Sequence, residues 1–145
     1  MDAQPAQFEF SPFGKINSRQ EFAAVMPMLQ KVERRSRQCG LAEKLMVQRV
    51  QNISYMDVIY RDHELIGVAV STPTTTALWV DAIFVQPHQC DTETMQAIDG
   101  HLQCRARSQA LPCMRGSQQF RGGAGFMERA GWTQIAVQYE KKVTP

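Results

Sequence analysis

Hydrophobic and polar positions change period several times along the chain, and each change predicts an element. Phe8 and Phe10 alternate with Gln7 and Glu9, so the proline-punctuated first fifteen residues read as an edge strand or a tail. Asn17-Ser18 reads as a helix cap ahead of Arg19 to Gln38, where Phe22, Val25, Met26, Leu29 and Val32 fall at helical spacing. Pro27 inside that run predicts a kink or two shorter helices, and Gly40 suits its stop. Leu41, Leu45 and Val50 carry a second helix, Leu41 to Gln51. From Ile53 the period drops to two. Ile53 to Tyr60, Leu65 to Ser71 and Ala77 to Gln86 predict three strands joined at Asp62-His63-Glu64 and at Thr72 to Thr76, an antiparallel meander. Beyond Pro87, the residues Met95, Ile98, Leu102 and Ala106 put one apolar face on a helix from about Thr92 to Ala110. A strand near Leu111 to Gly116, a glycine-rich stretch Arg121 to Gly125, a short helix ending at Gly131 and a single last strand, Thr133 to Val143, complete the order.

No repeat, linker or charge block divides this run, so one α/β (α+β) domain is expected over residues 16–145, with 1–15 as its tail or edge strand. The central sheet should be mostly antiparallel and flanked by helices. With 145 residues, 43% of them apolar, the chain can bury a core without staples. A net charge of +2 gives no clustered basic surface, so nucleic acid is not an expected partner. No apolar run approaches the roughly 20 residues that span a bilayer, and Met1 to Pro5 lack a leader's basic and apolar regions, which makes a cytoplasmic location the default. The four cysteines form no C-x-x-C pair and read as free thiols. His88, Cys90, His101 and Cys104 have the donor atoms for zinc but no familiar knuckle spacing, and no metal is expected. Met26, Met28, Met46 and Met56 read as core filler, or as a partner interface if they gather outside.

Three segments carry a resemblance. Phe126 to Trp132 followed by Tyr139-Glu140-Lys141 resembles the closing helix and strand of the GNAT family of acetyl-CoA-dependent N-acetyltransferases. Ile66-Gly67-Val68-Ala69 is similar to its third strand, and Asp81 to Pro87 to its fourth. The resemblance implies that fold and, in an active member, acetyl-CoA. It also implies a glycine-rich turn after the fourth strand, where bare backbone N–H groups and a helix N-terminus cradle the cofactor's pyrophosphate. Here that stretch, His88 to Met95, holds no glycine, and Asp91 and Glu93 put negative charge beside a polyanion. The same acids suit a helix start without a ligand, with Thr92 and Glu93 as its cap. Gln119 to Ala124 fits the glycine pattern literally but leaves too little chain for the rest of the fold; it is an anion nest around Arg121 or a flexible loop.

Asp81 falls at the family's general-base position, flanked by Trp79 and Ile83 if the strand is regularly pleated; otherwise it is a strand-end acid paired with an arginine. Met127 stands where the family's proton-donating tyrosine would be, leaving Tyr139 or water for that role. The leading expectation is therefore a catalytically inactive GNAT-like protein with no cofactor. It would act through a protein partner or as a homo-oligomer, for instance as a virion component, since the compact ending resembles small phage-encoded acetyltransferase-like proteins. The alternative is a divergent N-acetyltransferase holding acetyl-CoA along Ile83, Phe84 and Val85 and gripping it with Gln89, Ser117 or Arg121.

Overall fold

The computed structural model describes residues 4–15, 18–117, 133–135 and 138–144. They form strand β1 (Phe8–Pro12), helices α1 (Ser18–Ser36) and α2 (Leu41–Val50), strands β2 (Tyr55–Arg61), β3 (Glu64–Pro73) and β4 (Leu78–Val85), a 3-10 turn (Pro87–Gln89), helix α3 (Thr92–Ser108), and strands β5 (Cys113–Ser117), β6 (Thr133–Ile135) and β7 (Gln138–Lys142). The strands make one sheet in the order β1-β2-β3-β4-β5-β7-β6. Every neighbouring pair is antiparallel except β4 and β5, which α3 connects in parallel. Among the described residues no helix is long and apolar enough to cross a membrane.

The central strands are rich in Val, Ile and Ala because helices cover both of their faces. Val25, Leu29 and Leu45 of α1 and α2 pack on Val58, Val68, Val70, Ala82 and Phe84. On the opposite face Ile98, Leu102 and Ala106 of α3 pack on Ile59, Ala69, Val80, Ile83 and Val85. Phe8 and Phe10 of β1 join the α3 side, and Phe13, just past the end of β1, joins the other. The methionines at 28 and 56 are buried, and Met26 and Met46 pack against the same layer as core filler. Gly67 permits β3 and β4 to approach closely: a Cβ there would run into the Phe84 carbonyl oxygen.

Three expectations are corrected. Helix α1 runs through Pro27 as a single element; Pro27 and Ala23, whose carbonyl loses its partner, are both exposed, so water can take the missing bond. Arg37 (φ 56°) adopts the left-handed conformation beyond its end, while Gly40 (φ 83°) caps the start of α2. The single last strand is two, β6 and β7, paired antiparallel. The sequence from Thr133 to Lys142 contains no Gly, Pro, Asn or Asp to mark a turn. The short helix before Gly131 and the glycine-rich stretch lie outside the described residues.

Two irregularities shape the middle of the sheet. Strands β3 and β4 pair Val70 with Ala82 and Ser71 with Val80, leaving Asp81 as the extra residue of a β-bulge. Strand β4 also pairs with β5 only from Leu78 to Val80, although its pairing with β3 continues to Val85. Among the described residues, Asp81 to Val85 therefore pair with β3 only.

Candidate functional site

The bulge decides where Asp81 points. Ala82 and Phe84 belong to the α1/α2 layer and Ile83 and Val85 to the α3 layer, so the bulge reverses the alternation that a regular pleat would give. Asp81 is consequently not beside Ile83. Its carboxylate accepts a 2.6 Å hydrogen bond from Thr72 Oγ1 on β3 and lies near the Lys44 charge on α2. An arginine partner is not what the structure places there. Burial pushes the Asp81 carboxyl above the usual carboxylate range, with the Thr72 hydrogen bond and Lys44 holding back part of that rise.

Thr72 continues a line of polar groups. Its Oγ1 is 2.7 Å from Ser54 Oγ, which is 3.1 Å from Gln48 Oε1 on α2. Each hydroxyl has one proton, so the line has only two consistent directions. With Asp81 ionised, Thr72 donates to Asp81 and Ser54 to Thr72, so the Gln48 amide must turn its NH2 toward Ser54 in place of the Oε1 that accepts from Ser54 in this structure. With Asp81 protonated, the carboxyl donates to Thr72 and every bond reverses, ending on the Gln48 oxygen. A proton on Asp81 is thus coupled to side chains leading to the surface of α2.

The start of α3 is arranged differently. Asp91 is its N-cap, accepting from the Thr94 N–H at 2.8 Å, in place of the expected Thr92. Arg61, at the end of β2, reaches across to donate to Asp91 at 2.8 Å, Thr94 Oγ1 at 2.9 Å and Glu93 at 3.2 Å, with its guanidinium 5.3 Å from the Phe8 ring centre. That ion pair, helped by the Thr94 N–H, holds the Asp91 carboxyl down at about 2. In the turn before α3 the N–H groups of Gln89, Cys90 and Asp91 donate to the Gln86, Pro87 and Gln89 carbonyls, and within α3 that of Met95 donates to the Asp91 carbonyl.

The remaining candidates are scattered. Ile83, Phe84 and Val85 are buried, with Lys31 and Arg35 stacked 5.5 and 5.6 Å from the Phe84 ring centre. Gln89 sits with Arg61 and Glu64, both 3.5 Å away, at the β2–β3 hairpin. Ser117 ends β5 across from Gln138. Arg121, Met127 and the Gln119 to Ala124 pattern lie outside the described residues, and Tyr139 is placed in β7 opposite Gly116. The four metal candidates do not converge. His101 stacks on Phe10 at 4.1 Å, Cys104 is exposed and accepts from Arg107, and no three His, Cys, Asp or Glu residues gather among those described.

One cluster escaped the sequence. Asp57, 2% exposed at its side chain, is held by both guanidinium nitrogens of Arg105 and lies 3.4 Å from His101 Nε2, under α3. Burial alone would raise its pKa, but Arg105 and His101 outweigh it and hold the carboxyl below its ordinary value. An acid at a core-facing position of an otherwise apolar strand is the signal that marks such a buried pair.

No family model and no curated protein matches this sequence. Solved structures do. An acetyltransferase of the GNAT family from Desulfovibrio desulfuricans superposes with a TM-score of 0.69 at 14% identity, covering 97% of this chain and 100% of the other. An aminoglycoside 6'-N-acetyltransferase in complex with coenzyme A gives 0.75 at 12% identity, covering 94% and 98%. The PaiA N-acetyltransferase from Thermoplasma acidophilum, also with coenzyme A, gives 0.68 at 11%, covering 96% and 99%. The fold is that of the GNAT acetyltransferases. At these identities the likeness establishes the GNAT fold alone, and activity must be argued from the residues.

Proposed function

We propose that this GNAT-fold chain is an N-acyltransferase in which Asp81 is the general base. The observation that carries the reading is a half-buried carboxylate on a bulge of β4, its affinity for a proton raised by that burial and its orientation fixed by Thr72. Such a group suits removing a proton from an amine as the amine attacks an acyl carbon. Against the reading stand the acids of α3: Arg61 pairs with both but offsets only one of their two charges, and the glycines are missing.

The test is acyl transfer from a thioester to a panel of small amines. Asp81→Asn should lower the rate by about 10²- to 10⁴-fold, the usual worth of a positioned base, without loss of fold. Equal rates in the parent and the variant would remove Asp81 from this role.

A second reading, an inactive accessory protein working through a partner or its own copies, as in a virion, is favoured by the self-capped start of α3 and by apolar side chains exposed on and after α2. Val47, Val50, Ile53 and Tyr55 are 45, 74, 48 and 40% exposed. Absence of transfer from every thioester, together with retention of the fold, would favour it.

A further inference from the structure

Strand β1 ends at Pro12, opposite Asp57, whereas β2 begins two residues earlier, at Tyr55. A cavity of about 450 Å³ lies at that step, within the range of small-molecule sites. We propose that this cavity binds a monocarboxylate with an apolar body, its carboxylate held by the Arg49 guanidinium. The site is distinct from Asp81: Ser54 lines the cavity, and Thr72 stands between Ser54 and the Asp81 carboxylate.

Three charged side chains line the cavity, Arg49, Asp57 and Arg105. Two of them satisfy each other, since the two terminal nitrogens of Arg105 donate to the two oxygens of Asp57. One positive charge is left, on Arg49. Half-buried in the last turn of α2, it donates to the Phe13 carbonyl at 3.1 Å and to Asn52 Oδ1 at 3.5 Å, both neutral acceptors. Those bonds use two of its five N–H donors, and no carboxylate meets it among the described residues. Other cations that reach from one element to another are treated differently. Arg61 finds Asp91 and Glu93, Arg105 finds Asp57, and Lys141 finds Asp99. A guanidinium drawn partly out of water without a counter-ion gains from an incoming carboxylate, whose two oxygens match its planar fork.

The rest of the lining describes the body of the ligand. Pro12, Pro73, Ile53 and the Tyr55 ring make apolar walls. The ring is held in place from two sides: Arg105 stacks 4.2 Å from its centre, and Gln109 donates to its hydroxyl. Flat, fixed walls suit an aromatic or branched side chain. A dianion such as phosphate would meet one unpaired cation among the described lining residues, so a single carboxylate is the better match of charge.

The test titrates the full-length chain with 3-phenylpropanoate and with its uncharged amide, read by calorimetry and by backbone amide shifts. N-acetyl-phenylalanyl-leucine, as free acid and as amide, offers the same carboxylate on a peptide end. The better-bound acid of each pair should exceed its amide by about tenfold or more, with shifts gathered at Asn52, Ile53, Ser54 and Tyr55. Tighter binding of the small acid would support the site and identify a free carboxylate as its ligand; tighter binding of the peptide acid would support it and identify a chain end. Arg49→Gln should bring the acid down to the level of the amide and leave the amide unchanged, while Arg49→Lys, which keeps the charge but not the fork, should retain part of the preference. Asp81→Asn should leave every affinity unchanged, so the result does not depend on acyl transfer. Equal affinity of acid and amide in the parent, no binding of either acid at millimolar concentration, or a preference for the acid that survives Arg49→Gln would overturn the inference.

Discussion

Asp81 and Asp91 are carboxylates shifted in opposite directions, and their surroundings account for both. Burial disfavours the Asp81 charge, whereas Arg61 and a helix N–H favour that of Asp91. The signs fix the pH dependence. The folded pKa of Asp81 lies above its unfolded value of 3.8, so its contribution to stability is present below that value and is lost as pH rises through the folded pKa. Asp81→Asn should therefore be more stable than the parent at neutral pH and indistinguishable from it near about pH 3, as measured by denaturant unfolding. Asp91 works the other way: its contribution is present above 3.8 and is lost as pH falls toward about 2. Replacing it by alanine should cost about 1 kcal/mol at neutral pH through the lost cap. The residue type at 81 was legible in the sequence, but its direction was not. Period-two patterning assumes a regular pleat, and a one-residue bulge reverses every side chain after it. Thr72 read as part of a threonine-rich turn, because nothing local shows that it faces Asp81 across the β3–β4 pair.

The elements themselves were largely readable. The helical stripes of α1, α2 and α3 and the apolar runs of β2, β3 and β4 appear near their expected bounds because burial on both faces of the sheet demanded them. What pattern did not reveal was the number of strands after residue 132 and the way α3 is tied down. Asp57 on β2 and Arg105 on α3 form a buried ion pair from positions 48 residues apart. Removing one partner leaves an unpaired buried charge, so Asp57→Ala should lower stability by about 3 kcal/mol, and thermal melting would show it. Because the Asp57 carboxyl is held below its ordinary value, its stabilisation is present above 3.8 and fades as the pH drops below it. Gly67 is the other constraint at this scale. Gly67→Ala places a methyl against the Phe84 carbonyl and should cost about 3 kcal/mol by forcing β3 from β4, with amide exchange on both strands accelerated.

At the scale of the whole molecule, a single sheet does two jobs. Its centre is a packed core, while the bulge of β4 turns the Asp81 carboxylate toward Thr72 and the Lys44 charge on α2. The segment resemblance pointed to this architecture from the sequence, and solved GNAT-fold structures share it across nearly the whole chain. The arrangement around α3 was harder to foresee. Acids at its start implied a damaged phosphate site, but the contact from Arg61 on β2, 30 residues before Asp91, that offsets one of their two charges is tertiary and left no local mark. The central claim is that Asp81 accepts the proton of an attacking amine. The most direct measurement is the pH profile of kcat/KM for acyl transfer by the parent and by Thr72→Val. The expected profile has an acid limb whose midpoint lies above 3.8 and moves higher in Thr72→Val, which loses the hydrogen bond that favours the charged carboxylate. A profile unchanged by Thr72→Val, or transfer that persists in Asp81→Asn, would contradict the account.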